Sequence, residues 1–201
     1  MKWIPLTLIC LLALAGCAST EITGYSDPAY MSTTYESVVV IAEDVGLERA
    51  AKLEAGICDQ FSSIGVACQP FHRMFSPTRP HSPDSVFQEL KRQNVGAMIV
   101  LLSGGNYSSS QNVGYQTYGS ASAHGNQAQG QSTTVAITAF SRRSYMRIVV
   151  VDAQTRETAW LGDATTEGQG AVNVTDSAFL SSLTEKVAQE LAASPHFSAG
   201  K

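Results

Sequence analysis

The sequence predicts an α/β (α+β) domain with one mixed sheet of about five to six strands, about three helices and a Gly/Ser/Gln/Tyr-rich insertion. Three observations lead there. The runs over 37–42 and 95–102 are continuously apolar and rich in β-branched residues, as expected of strands covered on both faces. Apolar residues at helical spacing, Leu53, Ile57, Phe61 and Ile64, follow the first run. Strand, helix, strand, helix, strand can then be read in order, which implies helices layered on a sheet. With 201 residues the chain is long enough for one domain with its own core.

Residues 1–16 read as an export signal, with a charge at Lys2 and an apolar segment broken only by Pro5 and Thr7. The segment is too short to span a bilayer, which takes roughly 20 apolar residues. It ends in Leu14-Ala15-Gly16-Cys17, which resembles the lipobox of bacterial lipoproteins. The resemblance implies a mature chain that starts at Cys17 and carries acyl chains on the thiol and on the freed amine. At about 0.8 kcal/mol per buried CH₂, several chains together hold a protein to a membrane. Ala18 is not the Asp that favours inner-membrane retention in enteric-type bacteria, so the resemblance implies the outer membrane, facing the periplasm.

Residues 17–35 are rich in Ser, Thr and Tyr without apolar periodicity, and are expected to be an acylated N-terminus and flexible tether. A single domain is expected over 36–197. Its first strand leads to a helix over 46–63, stopped by Gly65, and to a short strand over 66–70. Pro77, Pro80 and Pro83 make 71–83 a loop, in which His72 and His81 read as surface residues without metal-ligand spacing. Ser82-Pro83-Asp84 is a helix start, with cap, proline and early acid. The run over 95–102 is the expected central strand.

Of four cysteines, Cys10 leaves with the signal and Cys17 would be acylated. Cys58 and Cys68 remain, either as a structural disulfide or as two small buried side chains.

Between Arg92 and Arg142 there is no Asp, Glu, Lys or Arg. Residues 103–134 form either a flexible low-complexity insertion or a long β-hairpin turning near Gly125-Asn126. As a hairpin it would serve self-association or partner contact, with Tyr107, Tyr115 and Tyr118 supplying contact area. A membrane-inserting hairpin is the sharpest version, although a clear apolar alternation is missing. His124 lies here alone.

Val135, Ile137 and Ala139 alternate in one phase and Met146, Ile148 and Val150 in the other, so a bulge or turn is expected at 141–144. Asp152 opens a turn that its carboxylate would cap. Trp160 lies in the following strand, and a helix over 176–193 ends at Ser194-Pro195. The segment Met146-Arg147-Ile148-Val149-Val150-Val151-Asp152-Ala153-Gln154-Thr155, followed by Thr158-Ala159-Trp160, resembles small periplasmic lipoprotein domains of unknown function. The layout is also similar to the α/β domain of curli-secretion-channel lipoproteins, from which this chain departs in its Tyr-, Gly- and Gln-rich insertion.

The formal net charge of −4 becomes −5 once Lys2 is removed, too mild for steering, and no basic stripe suggests nucleic acid. No Gly-x-Ser-x-Gly elbow, His-Glu-x-x-His or phosphate-cradling loop is present, so no catalytic residue, metal or cofactor is expected. The leading expectation is a non-enzymatic envelope lipoprotein, held to the membrane by lipid on Cys17, that binds an envelope component or itself. An oligomeric secretion or assembly component is the first alternative. A hydrolase whose site is assembled only by folding is the second.

Overall fold

The computed structural model describes residues 18–124 and 127–197, with 121–124 and 127–129 described by backbone alone. Cys17, the expected turn at Gly125-Asn126 and the side chain of His124 lie outside the described residues. The elements are β1 (Ser19–Ser26), β2 (Ser37–Glu43), α1 (Leu47–Ser63), β3 (Ala67–Pro70), α2 (Phe71–Met74), α3 (Pro83–Arg92), β4 (Ala97–His124), β5 (Gln127–Asp152), β6 (Thr158–Gln169) and α4 (Asp176–Ala193). One six-stranded sheet carries them in the order β1-β6-β5-β4-β2-β3. The pairs β2–β3 and β2–β4 are parallel, and the remaining pairs are antiparallel.

The parallel half follows from the helical crossovers, and its continuous apolar strands follow from cover on both faces. Val38, Val40, Ile99, Leu101 and Ile148 face α1 and α4, meeting Leu53, Ile57 and Phe61 from one helix and Leu183, Val187 and Leu191 from the other. Val39 points the opposite way, into a smaller core with Phe75, Val86, Phe87, Leu90 and Val95 under α2 and α3. The cap of α3 is as the sequence implies, Ser82 Oγ accepting from the Ser85 amide at 3.2 Å. Cys58 in α1 and Cys68 in β3 are joined by a disulfide, with Cα atoms 5.0 Å apart and 10 residues of separation. Closing so short a loop contributes about 2–3 kcal/mol in the chain-entropy view.

Three expectations are corrected. Of the tether expected over 17–35, the described residues 18–35 are not flexible: β1 pairs with β6 from Ser19↔Glu167 to Ser26↔Trp160, and Tyr30 and Tyr35 are buried. The strand lacks an apolar signature because its buried anchor is Thr20, whose hydroxyl bonds Thr166 Oγ1 at 2.9 Å and Ser182 Oγ at 2.8 Å. Residues 141–144 contain neither turn nor bulge, since β5 runs through them in unbroken register. The extra residues lie in the facing strand, at Gly104 and Val113. Finally, the segment read as a proline loop opens with α2, and its His72 is half-buried, with Nδ1 2.6 Å from the buried Glu54 carboxylate.

Trp160 fills a slot that only glycine permits. Gly24 and Gly162 form a cross-strand pair, and a methyl group on either would come within 2.1 Å or 2.2 Å of the indole. Gly24→Ala and Gly162→Ala are each expected to cost about 1–3 kcal/mol by overpacking. In urea unfolding the midpoint should fall with little change of slope.

Candidate functional site

The stretch without charges is a β-hairpin arm. β4 and β5 pair continuously from Ala97↔Asp152 to His124↔Gln127, but β6 accompanies β5 only as far as Ser141↔Gln169. On the other side β2 accompanies β4 only as far as Glu43↔Leu102. Residues 110–124 and 127–140 therefore run as a two-stranded ribbon, on the order of 45 Å long at roughly 3.3 Å per residue. Both of its outer edges present backbone groups with no strand beside them among the described residues.

The register sorts the arm's side chains onto two faces. The rungs Tyr107↔Arg143, Gln116↔Val135, Gly114↔Ile137 and Tyr118↔Thr133 share one face. Tyr115↔Ala136 and Ser110↔Phe140 share the other. The three tyrosines singled out from the sequence are 64%, 71% and 59% exposed in chain order, and they do not form one cluster. Val113, Val135, Ile137 and Phe140 are exposed as well. Exposed apolar side chains thus stand on both sides of the ribbon, scattered among Ser, Thr, Gln and Asn.

Charges gather at the root. Arg142 donates to the Val174 carbonyl at 3.1 Å and to Asp176 Oδ1 at 2.7 Å, with its guanidinium 4.4 Å from the Phe179 ring centre. Arg49 grips the same carboxylate with two bonds of 3.0 Å. Hydrogen bonding from Arg142, with help from Arg49, holds the Asp176 carboxyl below its ordinary value against the effect of partial burial. On the opposite face Arg143 pairs with Glu167 at 2.5 Å and Arg147 with Asp163 at 2.8 Å. The Arg147 hydrogen bond lowers the Asp163 carboxyl likewise. Tyr107 and Tyr145 meet edge to face at 5.9 Å, beside a concavity of about 560 Å³.

The start of the described chain lies at the same end. Ser19 pairs with Glu167 and Glu167 with Arg143, so β1 begins level with the arm's root. Ala18 is the residue next to Cys17.

Other candidate groups are occupied structurally. Asp152 Oδ1 accepts from the Gln154 and Thr155 amides at 2.7 and 2.8 Å, and Oδ2 from the Tyr35 hydroxyl at 3.1 Å. Burial first, then the Asp152 charge, pushes the Tyr35 hydroxyl well above the ordinary tyrosine range. His81 is an exposed loop residue stacked edge-on to Phe75. Glu54 was not singled out from the sequence. Its signal is its position within the buried stripe of α1, between Leu53 and Ile57. Among the described residues no hydroxyl or thiol bonds to the His72 imidazole, whose partner is Glu54.

A carboxyl with a lowered folded value stabilises the fold above the ordinary aspartate range, and that contribution is lost as pH falls through the folded value. Asp176→Asn should therefore lower stability at pH 7 by under about 1 kcal/mol, because the carboxylate is more than half exposed. The difference from the parent should close toward pH 2, as read by urea unfolding across the pH range.

No protein-family model matches the chain, and no curated protein matches it. Among solved structures the chain is similar to PelC from Paraburkholderia phytofirmans, solved as a dodecamer, at 11% identity and a TM-score of 0.50, over 90% of this chain and 99% of that one. It is also similar to lipoprotein GNA1162 from Neisseria meningitidis, at 14% identity and a TM-score of 0.45, over 79% of this chain and 99% of that one. The chain thus shares the overall fold of PelC.

Proposed function

We propose that this protein is a lipid-anchored, non-enzymatic component of the bacterial outer membrane that faces the periplasm and assembles with copies of itself through the arm. The observation that carries the proposal is the free-standing ribbon, uncharged, with exposed aromatic and aliphatic side chains on both sides and open at both edges. An isolated two-stranded hairpin is marginal in water, and an unguarded edge is a template for another strand. Ribbons of neighbouring copies satisfy one another edge to edge. The fold likeness supports this, since PelC is a dodecamer. The lipobox-like Leu14-Ala15-Gly16-Cys17 supports the anchor, and β1 leaves no slack between Ala18 and the sheet, so an acylated Cys17 would hold the arm's root against the lipid surface.

A second reading deepens the first. A membrane-crossing β-strand takes about 9–11 residues, and the unaccompanied strands of the arm are longer than that. The arm projects from the anchor's end of the sheet beyond a collar of charges. Paired arms would then close into a barrel within the membrane, which removes every edge. Among the described residues no helix is long and apolar enough to cross a membrane.

Light scattering on detergent-extracted protein should show a multi-copy assembly, and a variant with 112–138 replaced by a short turn should be monomeric. Cys17→Ser should leave the membrane fraction. A monomeric parent, or an assembly unaffected by the deletion, counts against self-association. Conductance across planar bilayers, lost with the same deletion, separates the barrel from a purely periplasmic assembly.

A further inference from the structure

The parallel half of the sheet holds a second feature, independent of the arm. The crossover after β2 carries α1 to one face, while the chain after the neighbouring β3 carries α3 to the other. Chains that part to opposite faces leave a crevice beyond the carboxyl ends of those strands, the place where open α/β sheets bind ligands. Here that crevice is a cavity of about 420 Å³, within the roughly 300–1,000 Å³ typical of small-molecule sites. Its walls include Leu47, Phe71, Phe75, Val86, Phe87 and Met98. The Phe71 and Phe75 rings stack at 4.5 Å.

One buried acid stands in this apolar lining. Glu54 is 3% exposed. Its Oε1 accepts from the Ala42 amide at 3.2 Å, and its Oε2 accepts from the His72 amide at 3.2 Å and lies 2.6 Å from His72 Nδ1. Burying a carboxylate is costly even when it is paired, and an apolar residue at this position would serve the core at least as well. What the pair achieves is orientation: with Nδ1–H donated to Glu54, Nε2 is held as an acceptor, suited to a hydroxyl or N–H rather than to an anion. Arg79 lines the same cavity, is exposed and makes no ion pair among the described residues. Its guanidinium is a ready partner for an anion. Glu43 and Glu54 also line the cavity, and their charge disfavours a multiply anionic ligand.

We propose that this crevice binds a small monoanionic amphiphile, an aromatic or medium-chain carboxylic acid, with its apolar body between the phenylalanines and its carboxylate at Arg79. The crevice opens toward the arm's end of the sheet, because β2 finishes at Glu43↔Leu102, just before the arm begins. An acid released from membrane lipid and a soluble aromatic acid share the required chemistry.

Full-length protein in a maltoside detergent is titrated calorimetrically with 2-naphthoate, with decanoate and with the uncharged 2-naphthylmethanol. Saturable one-site binding of at least one acid is expected, with tighter binding of decanoate marking a membrane-derived ligand and tighter binding of 2-naphthoate a soluble one. Removing the ligand's charge, or introducing Arg79→Ala, should weaken binding roughly tenfold, as for loss of a charge-assisted contact. Ala51→Trp, which fills the cavity from the surface of α1, should abolish it. Arg79 makes no side-chain hydrogen bond among the described residues, so its variant keeps the fold. No saturable heat up to millimolar acid, or binding that either variant retains at parental strength, overturns the proposal.

Discussion

The hydrogen-bonded ladder between β4 and β5 organises the molecule. Over Ala97–Ser103 against Met146–Asp152 it is the spine of the domain, with helices on both faces and β2 and β6 at its sides. Further out it keeps the same pairing and loses every cover. Backbone donors and acceptors on the outer sides of 110–124 and 127–140 must then be met by water or by another strand. Proteins that intend water usually protect such edges with lysine, proline or short strands. This arm has no lysine and no proline, and it is several times longer than an ordinary edge.

The distribution of charge sharpens the same point. Arg142, Arg143 and Arg147, with Asp176, Glu167 and Asp163, ring the root, and no ionised Asp, Glu, Lys or Arg follows along the ribbon. Individually these exposed pairs contribute little to stability. Collectively they draw a boundary between a domain suited to water and an arm suited to something less polar. β1 brings the start of the described chain to that boundary, so Ser19 and the open ribbon share one end of the sheet.

How much was legible depends on where the burial lies. Strands at 37–42 and 95–102 declared themselves because both of their faces are covered by helices, and α1 because Leu53, Ile57 and Phe61 recur on one side. β1 was silent because its inward position is a hydrogen-bonded threonine, Thr20. The change of phase in β5 was visible, but its cause was misread. The strand does not turn over near 141–144; it leaves the domain there, so the face that had been core becomes one of two exposed faces. The tyrosines could not be sorted from spacing either. Tyr107 and Tyr115 stand eight apart, which in a regular strand would place them together, and the extra residue at Val113 puts them on opposite faces. Glu54 and His72 meet across 18 residues, a pairing no local spacing announces.

The boundary between spine and arm is written in two glycines. β2 stops opposite Leu102 of β4, and two residues further along β4 Gly104 is the extra residue of a bulge opposite Tyr145. A side chain on Gly104 would meet the Tyr145 Cβ at 3.1 Å, and Gly105 adopts φ 115°, a conformation that L side chains rarely enter. A bulge of this kind bends the strand and increases its twist. It allows β4 to leave its parallel neighbour while staying paired with β5, so the ladder that closes the core also carries the ribbon out of it. Without that local freedom the strand would have to end where its cover ends, and the uncharged stretch would have no rigid base from which to reach a partner.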